Sequence, residues 1–146
     1  MKIRTLDPAD YDRVYRLWLS CPGLALNDRD DSREGLARFL RRNPDTCFAA
    51  EEDGELVGVI MTGYDGRRGY IYHTAVRPDR QGRGIGAALV RATTEALRAM
   101  GVSKCALIAF ADNEGGNAFW EKQGFRLRTD IVYRDLLLNA FEKIIT

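Results

Sequence analysis

The stretch RPDRQGRGIGAALV, from Arg77 to Val90, places three glycines at alternating positions directly before an apolar helical pattern. Residues without a Cβ let successive backbone N–H groups converge on one point, and the following helix adds its own unpaired amides and the positive end of its dipole. Arg80 and Arg83 lie in the same stretch, in a chain whose formal net charge is only +1. This glycine loop (residues 82–87) therefore predicts a local site for a phosphate-bearing ligand, with a plain turn before a helix as the alternative.

The composition is that of an ordinary globular chain. Its 146 residues are 45% apolar, so a single domain over residues 1–146 is expected. Because 22 basic residues face 21 acidic ones, we expect no broad surface for nucleic acid or for an anionic membrane. No secretory signal or membrane-spanning run is apparent, which predicts a cytoplasmic protein. The three cysteines lack metal-ligand spacing, so we expect reduced thiols and no metal.

Helices and strands alternate on both sides of the glycine loop. One helix is predicted with Tyr11, Val14 and Trp18 on its apolar face, and a second begins near Ser32 and ends before Asn43. Strands are predicted at 2–6, 46–51, 55–64, 70–76, 105–110 and 131–136, and the remaining helices at about 85–100 and 116–123. The middle strands form an antiparallel meander, whereas the helix after the glycine loop implies a parallel crossover. These elements predict a fold with a mixed α/β sheet.

The glycine letters also fit a competing pattern, the dinucleotide fingerprint G-x-G-x-x-A at residues 82–87. That fingerprint belongs in an opening βαβ unit, with an acidic residue about 20 positions later for the ribose. Here the glycine loop lies in mid-chain after a hairpin meander, and the stretch from Met100 to Cys105 has no acid. Nucleotide binding of the Rossmann type is therefore the weaker hypothesis.

Two motifs together resemble the GNAT superfamily of acyl-CoA-dependent N-acyltransferases. Residues 81–86, QGRGIG, match the family loop Q/R-x-x-G-x-G/A. Residues 113–125, NEGGNAFWEKQGF, resemble the family segment N-x-x-A-x-x-x-Y-x-K-x-G-F. The predicted order of elements fits the family along essentially the whole chain. The resemblance implies an α/β fold with four helices and a mixed, mostly antiparallel central sheet of six to seven strands, splayed between the fourth and fifth strands.

The resemblance also implies acetyl-CoA as cosubstrate and assigns residues to it. The pyrophosphate would be held by the glycine loop and the residue before it, namely Gln81, Gly82, Arg83, Gly84, Ile85, Gly86 and Ala87. Three residues would pair their backbone with the pantetheine arm as though it were another strand, namely Thr74, Ala75 and Val76. Asn113 would hydrogen-bond the same arm, with an ordinary helix N-cap as the alternative. Trp120 replaces the family tyrosine that protonates the leaving thiolate, and would stack along the arm or pack beside Phe119.

The chemistry implied is direct attack of a primary amine on a thioester, without an acyl-enzyme intermediate. By resemblance, the amide of Val76 is the candidate donor to the developing oxyanion. The position of the family base corresponds to Tyr70 or Tyr72, whose phenols stay protonated near pH 7. His73 is the one side chain of suitable ordinary pKa, but strand alternation puts it opposite Tyr72 unless a bulge intervenes. The alternative, which the pattern favours, is a histidine that is satisfied in the core or at the surface. Tyr133 is a candidate substitute acid.

The sequence leaves the acceptor open between a small-molecule amine and a peptide amine. Tyr70 and Tyr72 are expected to line its pocket, and the acids of Asn27–Asp31 either attract the amine or form a solvated loop. A catalytically silent acyl-CoA-binding module is the alternative function, motivated by Trp120 and by the missing carboxylate base. The apolar tail LLLNAFEKII, residues 136–145, predicts a homodimer contact.

Overall fold

The computed structural model describes residues 1–146. Its four helices are α1 Tyr11–Ser20, α2 Arg33–Arg42, α3 Ile85–Ala99 and α4 Glu114–Lys122. Its seven strands are β1 Lys2–Thr5, β2 Leu26–Asn27, β3 Phe48–Glu52, β4 Glu55–Tyr64, β5 Gly69–Val76, β6 Cys105–Leu107 and β7 Lys143–Ile144. None of the helices combines the length and the apolarity that crossing a bilayer requires.

Five strands form the central sheet, in the order β1-β3-β4-β5-β6. Its neighbours are antiparallel except for β5 and β6, which are parallel and joined by α3. The predicted mixed, mostly antiparallel α/β class with four helices is therefore confirmed. The predicted count of six to seven strands is wrong for this sheet, because β2 and β7 form a separate antiparallel pair.

The strand predicted at Ile131–Leu136 is absent. Residues 126–142, the C-terminal segment, form no helix or strand, and their backbone makes one backbone–backbone hydrogen bond, from Asp28 N–H to the Glu142 carbonyl at 3.0 Å. Val132 is 76% exposed. Apolar residues in an extended stretch predict a strand, but a strand also needs a neighbour to complete its hydrogen bonds. Here the only strand after α4 is β7, which pairs with β2.

Capping side chains precede the short turn before α1 and the start of α2. Asp7 accepts from Ala9 N–H before a short 3₁₀ turn, Pro8–Asp10, that leads into α1. Ser32 Oγ accepts from Gly35 N–H at 3.0 Å and begins α2 as predicted. The sheet buries an apolar cluster on each face. Val14, Trp18 and Leu36 of α1 and α2 lie in one cluster, whereas Ile85 and Leu89 of α3 lie in the other.

The predicted splay between the fourth and fifth strands is present, between β5 and β6. Their pairing covers only Gly69–Ile71 against Cys105–Leu107. From Tyr72 to Val76, β5 has β4 on one side and no strand on the other; we call this the open edge of β5. The separation begins after Ile71. An edge of this kind leaves backbone N–H and C=O groups without ladder partners.

Candidate functional site

The glycine loop presents a row of unpaired backbone donors. Gly82 and Gly84 have φ of +75° and +85°, in the left-handed region that glycine adopts readily. A Cβ on either would meet nothing within 4 Å, so these positions need glycine for conformation and not for space. The backbone N–H groups from Gly82 to Ala87 bond to no other atom of the chain, and the first helical bond runs from Ala88 N–H to Gly84. Converging donors at the start of the 15-residue α3 suit a phosphate group.

Gly86 has a different role within the glycine loop. A Cβ there would lie 3.0 Å from Cε1 and Cζ of Phe119 and 3.8 Å from Cγ2 of Val76. The missing side chain therefore lets α4 pack closely against the first turn of α3 and beside the end of β5. This contact brings the two sequence motifs together, since Phe119 belongs to the second.

The arginines near the glycine loop are mostly paired with carboxylates. Arg77 contacts Glu55 and Asp79, each at 2.6 Å, and Arg80 contacts Glu52 at 2.7 Å. Only Arg83 is loosely held, 4.0 Å from Glu52 with 56% of its side chain exposed. The predicted positive surroundings are thus largely neutralised. Binding of an anion here depends mainly on backbone N–H groups, with Arg83 as the available charge.

Hydrogen bonding along β5 shows which groups face the open edge. Arg77 N–H donates to the Val57 carbonyl at 2.8 Å. Because antiparallel pairs alternate, Val76 opposite Gly58 is a non-hydrogen-bonded pair, and its N–H and C=O point away from β4. The Val76 carbonyl accepts instead from Gln81 Nε2 at 3.0 Å. The Val76 N–H therefore faces the open edge.

The same alternation separates the other two residues predicted to pair with the pantetheine arm. Thr74 and Ile60 form a non-hydrogen-bonded pair, as Val76 and Gly58 do. The backbone N–H and C=O of Thr74 therefore also face the open edge. Its Oγ1 is buried without a hydrogen-bond partner. Ala75 lies in a hydrogen-bonded pair with Val59, so its backbone is turned toward β4. The backbone groups of Thr74 and Val76 are therefore free to pair with a ligand, whereas those of Ala75 are taken up by β4, and a contact of Ala75 with the ligand stays a prediction.

In the second motif the structure shows local, structural contacts. Asn113 caps α4, since its Oδ1 accepts from Gly116 N–H at 2.9 Å. Its Nδ2 makes no hydrogen bond within the chain. Trp120 packs edge-on against Phe119 and Phe125, with ring centroids 5.0 Å and 5.2 Å apart. Trp120 thus packs beside Phe119, and its stacking along the arm stays a prediction.

Aromatic side chains line the face of β5 that is turned toward α2. The rings of Tyr70 and Tyr72 lie 4.7 Å apart, and Phe39 of α2 packs edge-on against Tyr72 at 5.6 Å. Burial, with a smaller contribution from Tyr133 and then Tyr72, raises the pKa of Tyr70 to about 12. Burial and then Tyr133 also raise the pKa of Tyr72. Both phenols stay neutral near pH 7, so neither is a base. Tyr133 is 68% exposed and makes no hydrogen bond.

A β-bulge places His73 on the same side of the sheet as Tyr72. The register of β4 and β5 shifts between Ile60 and Thr62, so Tyr72 and His73 together lie opposite Met61. His73 packs edge-on against Trp18 at 5.1 Å, and its Nε2 lies 2.7 Å from Oδ1 of Asp31. Strand alternation alone would have placed His73 opposite Tyr72. The bulge brings both candidate residues to the α1 and α2 face.

The acidic stretch Asn27–Asp31 is an ordered loop with three different carboxylates. Asp31 is buried and holds His73, whereas Asp30 accepts from Asn27 Nδ2 at 3.0 Å. Asp28 accepts from Glu142 N–H at 2.7 Å. These acids look alike in the sequence, and the contact between Asp31 and His73 was not predicted. No local pattern predicts that contact, because it depends on the bulge and on the path of the loop.

One surface depression lies away from the glycine loop and from the open edge of β5. It has a volume of about 770 Å³ and is lined mainly by charged side chains of the α1–α2 loop, α2 and the C-terminal segment, among them Arg29, Arg38 and Glu142. It includes no residue of β5 or of the glycine loop. Ligand sites are predominantly apolar with a few placed polar groups, so this depression is not the candidate site.

Comparison with known proteins identifies the family. The model of the Acetyltransferase (GNAT) family matches residues 11–125. An acetyltransferase of Sodalis glossinidius (strain morsitans) is 36% identical over 132 residues, which cover 90% of this chain and 92% of that protein. These matches include both motifs, β5 and the loop that holds His73.

Solved structures share the fold. A PaiA N-acetyltransferase from Thermoplasma acidophilum in complex with coenzyme A superimposes with a TM-score of 0.77 at 20% identity, covering 87% of this chain and 90% of that one. The ribosomal-protein-S18-alanine N-acetyltransferase from Escherichia coli gives a TM-score of 0.72 at 22% identity, covering 88% and 79%. The chain therefore belongs to the GNAT acetyltransferase family, and the acetyl-CoA-dependent acetyltransferase expected from its two motifs is confirmed.

Proposed function

We propose that this chain transfers the acetyl group of acetyl-CoA to a primary amine by direct attack of the amine. The observation that carries the proposal is the row of unpaired N–H groups of the glycine loop, next to the open edge of β5. Acetyl-CoA carries an acetyl group activated as a thioester. Its diphosphate matches the N–H groups of the glycine loop, and the amide groups of its arm match the open edge of β5. The loop geometry fits the diphosphate, and the free backbone groups of Thr74 and Val76 fit the amide-bearing arm.

The proposed binding residues act mainly through their backbone. Gly82 to Ala87 donate N–H groups to the diphosphate, and the side chain of Arg83 adds a positive charge. Gln81 holds the Val76 carbonyl and so fixes the peptide group at the end of β5. Asn113 keeps its Nδ2 available for the arm, and Trp120 forms an apolar wall with Phe119.

The Val76 N–H is the proposed donor to the oxyanion that develops on the acetyl carbonyl. It points to the open edge from a strand held rigidly by β4, and the chain itself offers it no acceptor. A donor already oriented before the reaction stabilises the developing charge without reorganisation.

Direct transfer is supported by the state of the thiols, the most reactive nucleophiles a protein offers. Burial raises the pKa of Cys47 to about 11 and that of Cys105 to about 11, and it also raises that of Cys21. The Cys21 thiol donates to the Val76 carbonyl at 3.5 Å. At neutral pH these thiols carry almost no thiolate, the form that would be acetylated.

The proposed acceptor surface consists of Tyr70, Tyr72 and Phe39. Asp30 lies close to this surface, since its negative charge is the third largest cause, after burial and Tyr133, of the raised pKa of Tyr72. Aromatic faces and a carboxylate favour a ligand that carries positive charge. We therefore propose a small-molecule or peptide amine with a second cationic group as acceptor. Tyr133 as substitute acid stays a prediction, and so does the cytoplasmic location.

The activity is tested by release of the CoA thiol from acetyl-CoA with a panel of amines, between pH 7 and pH 9. The panel pairs monoamines with diamines and with short peptides that contain lysine or arginine. We expect turnover, with cationic acceptors preferred. If acetyl-CoA raises the melting temperature and no amine releases CoA, the chain is the acyl-CoA-binding module without activity. Stabilisation by NAD or ATP and not by CoA would instead indicate a Rossmann-type nucleotide site.

A homodimer is proposed through the C-terminal segment. Leu136 and Leu138 are more than four-fifths exposed, which is uncommon for a stretch of adjacent apolar residues on a monomer. Two copies of residues 131–138 paired antiparallel about a two-fold axis would place Arg134 opposite the partner's Asp135. The same register places Tyr133 opposite the partner's Leu136, so charge and apolar surface are both complementary.

A further inference from the structure

We infer that Asp31 is a positioning residue that fixes His73 in the tautomer able to take a proton from the acceptor amine. The inference rests on the proposed function, since it names a further residue of the same site. His73 is the proposed base, and Asp31 acts through it without touching the substrate. Neither residue lies in the glycine loop or in the second motif.

The carboxylate of Asp31 is held in place from several sides. Its Oδ2 accepts from the Asn27 backbone N–H at 2.8 Å, inside the protein. Tyr11 of α1 donates its hydroxyl to the Asp31 carbonyl at 2.8 Å. The preceding residue, Asp30, packs so tightly on Gly35 of α2 that a Cβ on Gly35 would clash with the Asp30 carbonyl oxygen. Oδ1 therefore has a fixed position, 2.7 Å from Nε2 of His73.

This contact determines where the neutral imidazole carries its proton. An ionised carboxylate only accepts hydrogen bonds, so Nε2 must donate and Nδ1 is left with its lone pair. Nδ1 makes no hydrogen bond, and it is not among the buried polar atoms that lack a partner, so it is in contact with solvent. The His73 side chain is 16% exposed. An oriented imidazole with a free, accessible lone pair is suited to act as a base.

The location of His73 suits this role. The bulge turns it to the face that carries Tyr70 and Tyr72, within the open edge of β5 and three residues before Val76. Asp31 is the titratable group in contact with the His73 ring, and Trp18 packs edge-on against the same ring.

The step balances without a further reactant. As the amine nitrogen bonds to the acetyl carbon, one of its protons passes to Nδ1 of His73. The carbon–sulfur bond breaks, and its electron pair stays on the sulfur. The imidazolium, still donating from Nε2 to Asp31, then returns the proton to the thiolate or to water. The amine N–H thus becomes the S–H of free CoA.

Asp31→Asn tests the inference because the fixed Asn27 N–H determines how the amide must lie. The amide oxygen has to accept from Asn27, so the NH₂ group faces Nε2 of His73. Nε2 then becomes the acceptor, and the proton moves to Nδ1, which can no longer accept one. We expect kcat to fall by about 10²-fold, with an unchanged Kd for CoA, because the glycine loop is untouched.

The tautomer can be observed directly, since His73 is the only histidine of the chain. In protein labelled with 15N-histidine, the neutral wild-type ring should show a protonated Nε2 and an unprotonated Nδ1. Asp31→Asn should reverse the two. Asp28→Asn is the matched control, because it removes a charge from the same loop while its oxygen can still accept from Glu142 N–H. It should leave tautomer and kcat as in wild type.

Two results would overturn the inference. One is a wild-type ring protonated on Nδ1, which needs no variant to detect and holds even if Asp31→Asn fails to fold. The other is Asp31→Asn with wild-type kcat. If wild-type protein turns over no amine at all, the proposed function fails, and the catalytic part of the inference fails with it. The NMR spectrum still reports separately whether Asp31 sets the tautomer.

Discussion

Arg77 donates its backbone N–H to the Val57 carbonyl at 2.8 Å, and that bond determines the direction of the Val76 peptide group. It turns the Val76 N–H away from β4 and leaves Ala75 paired with Val59. We predict that, in free protein, the amide of Ala75 exchanges slowly with deuterium while those of Thr74 and Val76 exchange quickly. Saturating CoA should protect Thr74 and Val76 and leave Ala75 unchanged. Slow exchange at Val76 before CoA is added would contradict its role as oxyanion donor.

Gly84→Glu should abolish binding of CoA. The substitution puts a carboxylate beside the unpaired N–H groups and forces a non-glycine residue to a φ of +85°. A Cβ at Gly84 meets no atom within 4 Å, so backbone strain is the only cost to the fold. That strain should lower the free energy of unfolding by about 1–2 kcal/mol. Calorimetric titration with CoA measures the binding, and urea unfolding measures the stability.

Gly101→Glu is the matched control for Gly84→Glu. Gly101 follows the other end of α3, has a φ of +78° and also has open space where a Cβ would lie. It should lose a similar amount of stability and retain wild-type affinity for CoA. Equal affinity in both variants would remove the glycine loop from the site.

The sequence predicted the elements whose signals are local. The cap at Ser32, the glycine loop before Ile85 and the hairpins around β4 each depend on a few adjacent residues, and the structure has them close to the predicted positions. Residues 131–136 carry a local strand pattern of the same quality. That prediction is wrong because a strand also depends on a distant neighbour, which the pattern does not contain.

The candidate site also has some parts that a local pattern predicts and others that depend on distant residues. The donors of residues 82–87 follow from the glycine spacing, whereas the position of His73 depends on a bulge opposite Met61 that no residue pattern marks. Its contact with Asp31 joins residues 42 positions apart. The sequence does not separate Ala75 from Thr74 and Val76, because the phase of the ladder is set by the bond from Arg77 N–H to the Val57 carbonyl.

Trp120→Tyr should leave kcat unchanged relative to Trp120→Phe. Trp120 packs between Phe119 and Phe125, and a thiol with an ordinary pKa of about 8.5 leaves readily without an acid. Both variants should lose roughly 1–3 kcal/mol of stability through looser packing. The comparison isolates the hydroxyl, because the two replacements differ by that group alone. A markedly faster Tyr variant would show that the site lacks an acid and that position 120 can supply it.

Acid should destabilise the fold through Asp10. Burial opposes ionisation of this carboxyl, but hydrogen bonds from Arg4, the Asp7 amide and Arg13 outweigh it and lower its pKa to about 2. Since the folded-state pKa lies below the ordinary value, the contribution is fully present above about pH 4 and is lost as the pH falls toward 2. It should amount to about 2 kcal/mol.

The measurement for Asp10 is urea unfolding between pH 2 and pH 7. Asp10→Asn should be less stable at pH 7 and should lose much of its pH dependence below pH 4. Asp12→Asn is the control, since Asp12 lies two residues later, in the first turn of α1, with 71% of its side chain exposed. If Asp10→Asn loses as much stability below pH 4 as the wild type does, other carboxyls cause the destabilisation by acid.

The C-terminal segment should mediate a homodimer, which light scattering would detect as twice the 16.5 kDa chain mass. Arg134→Glu should weaken the dimer by placing two acids opposite each other, and Asp135→Arg should weaken it through two bases. The double variant restores opposite charges in the proposed antiparallel register and should recover the dimer. CoA affinity serves as the control, because the glycine loop lies in another part of the chain. A monomeric wild type would reject the interface, whereas a dimer insensitive to both single substitutions would place it elsewhere on the protein.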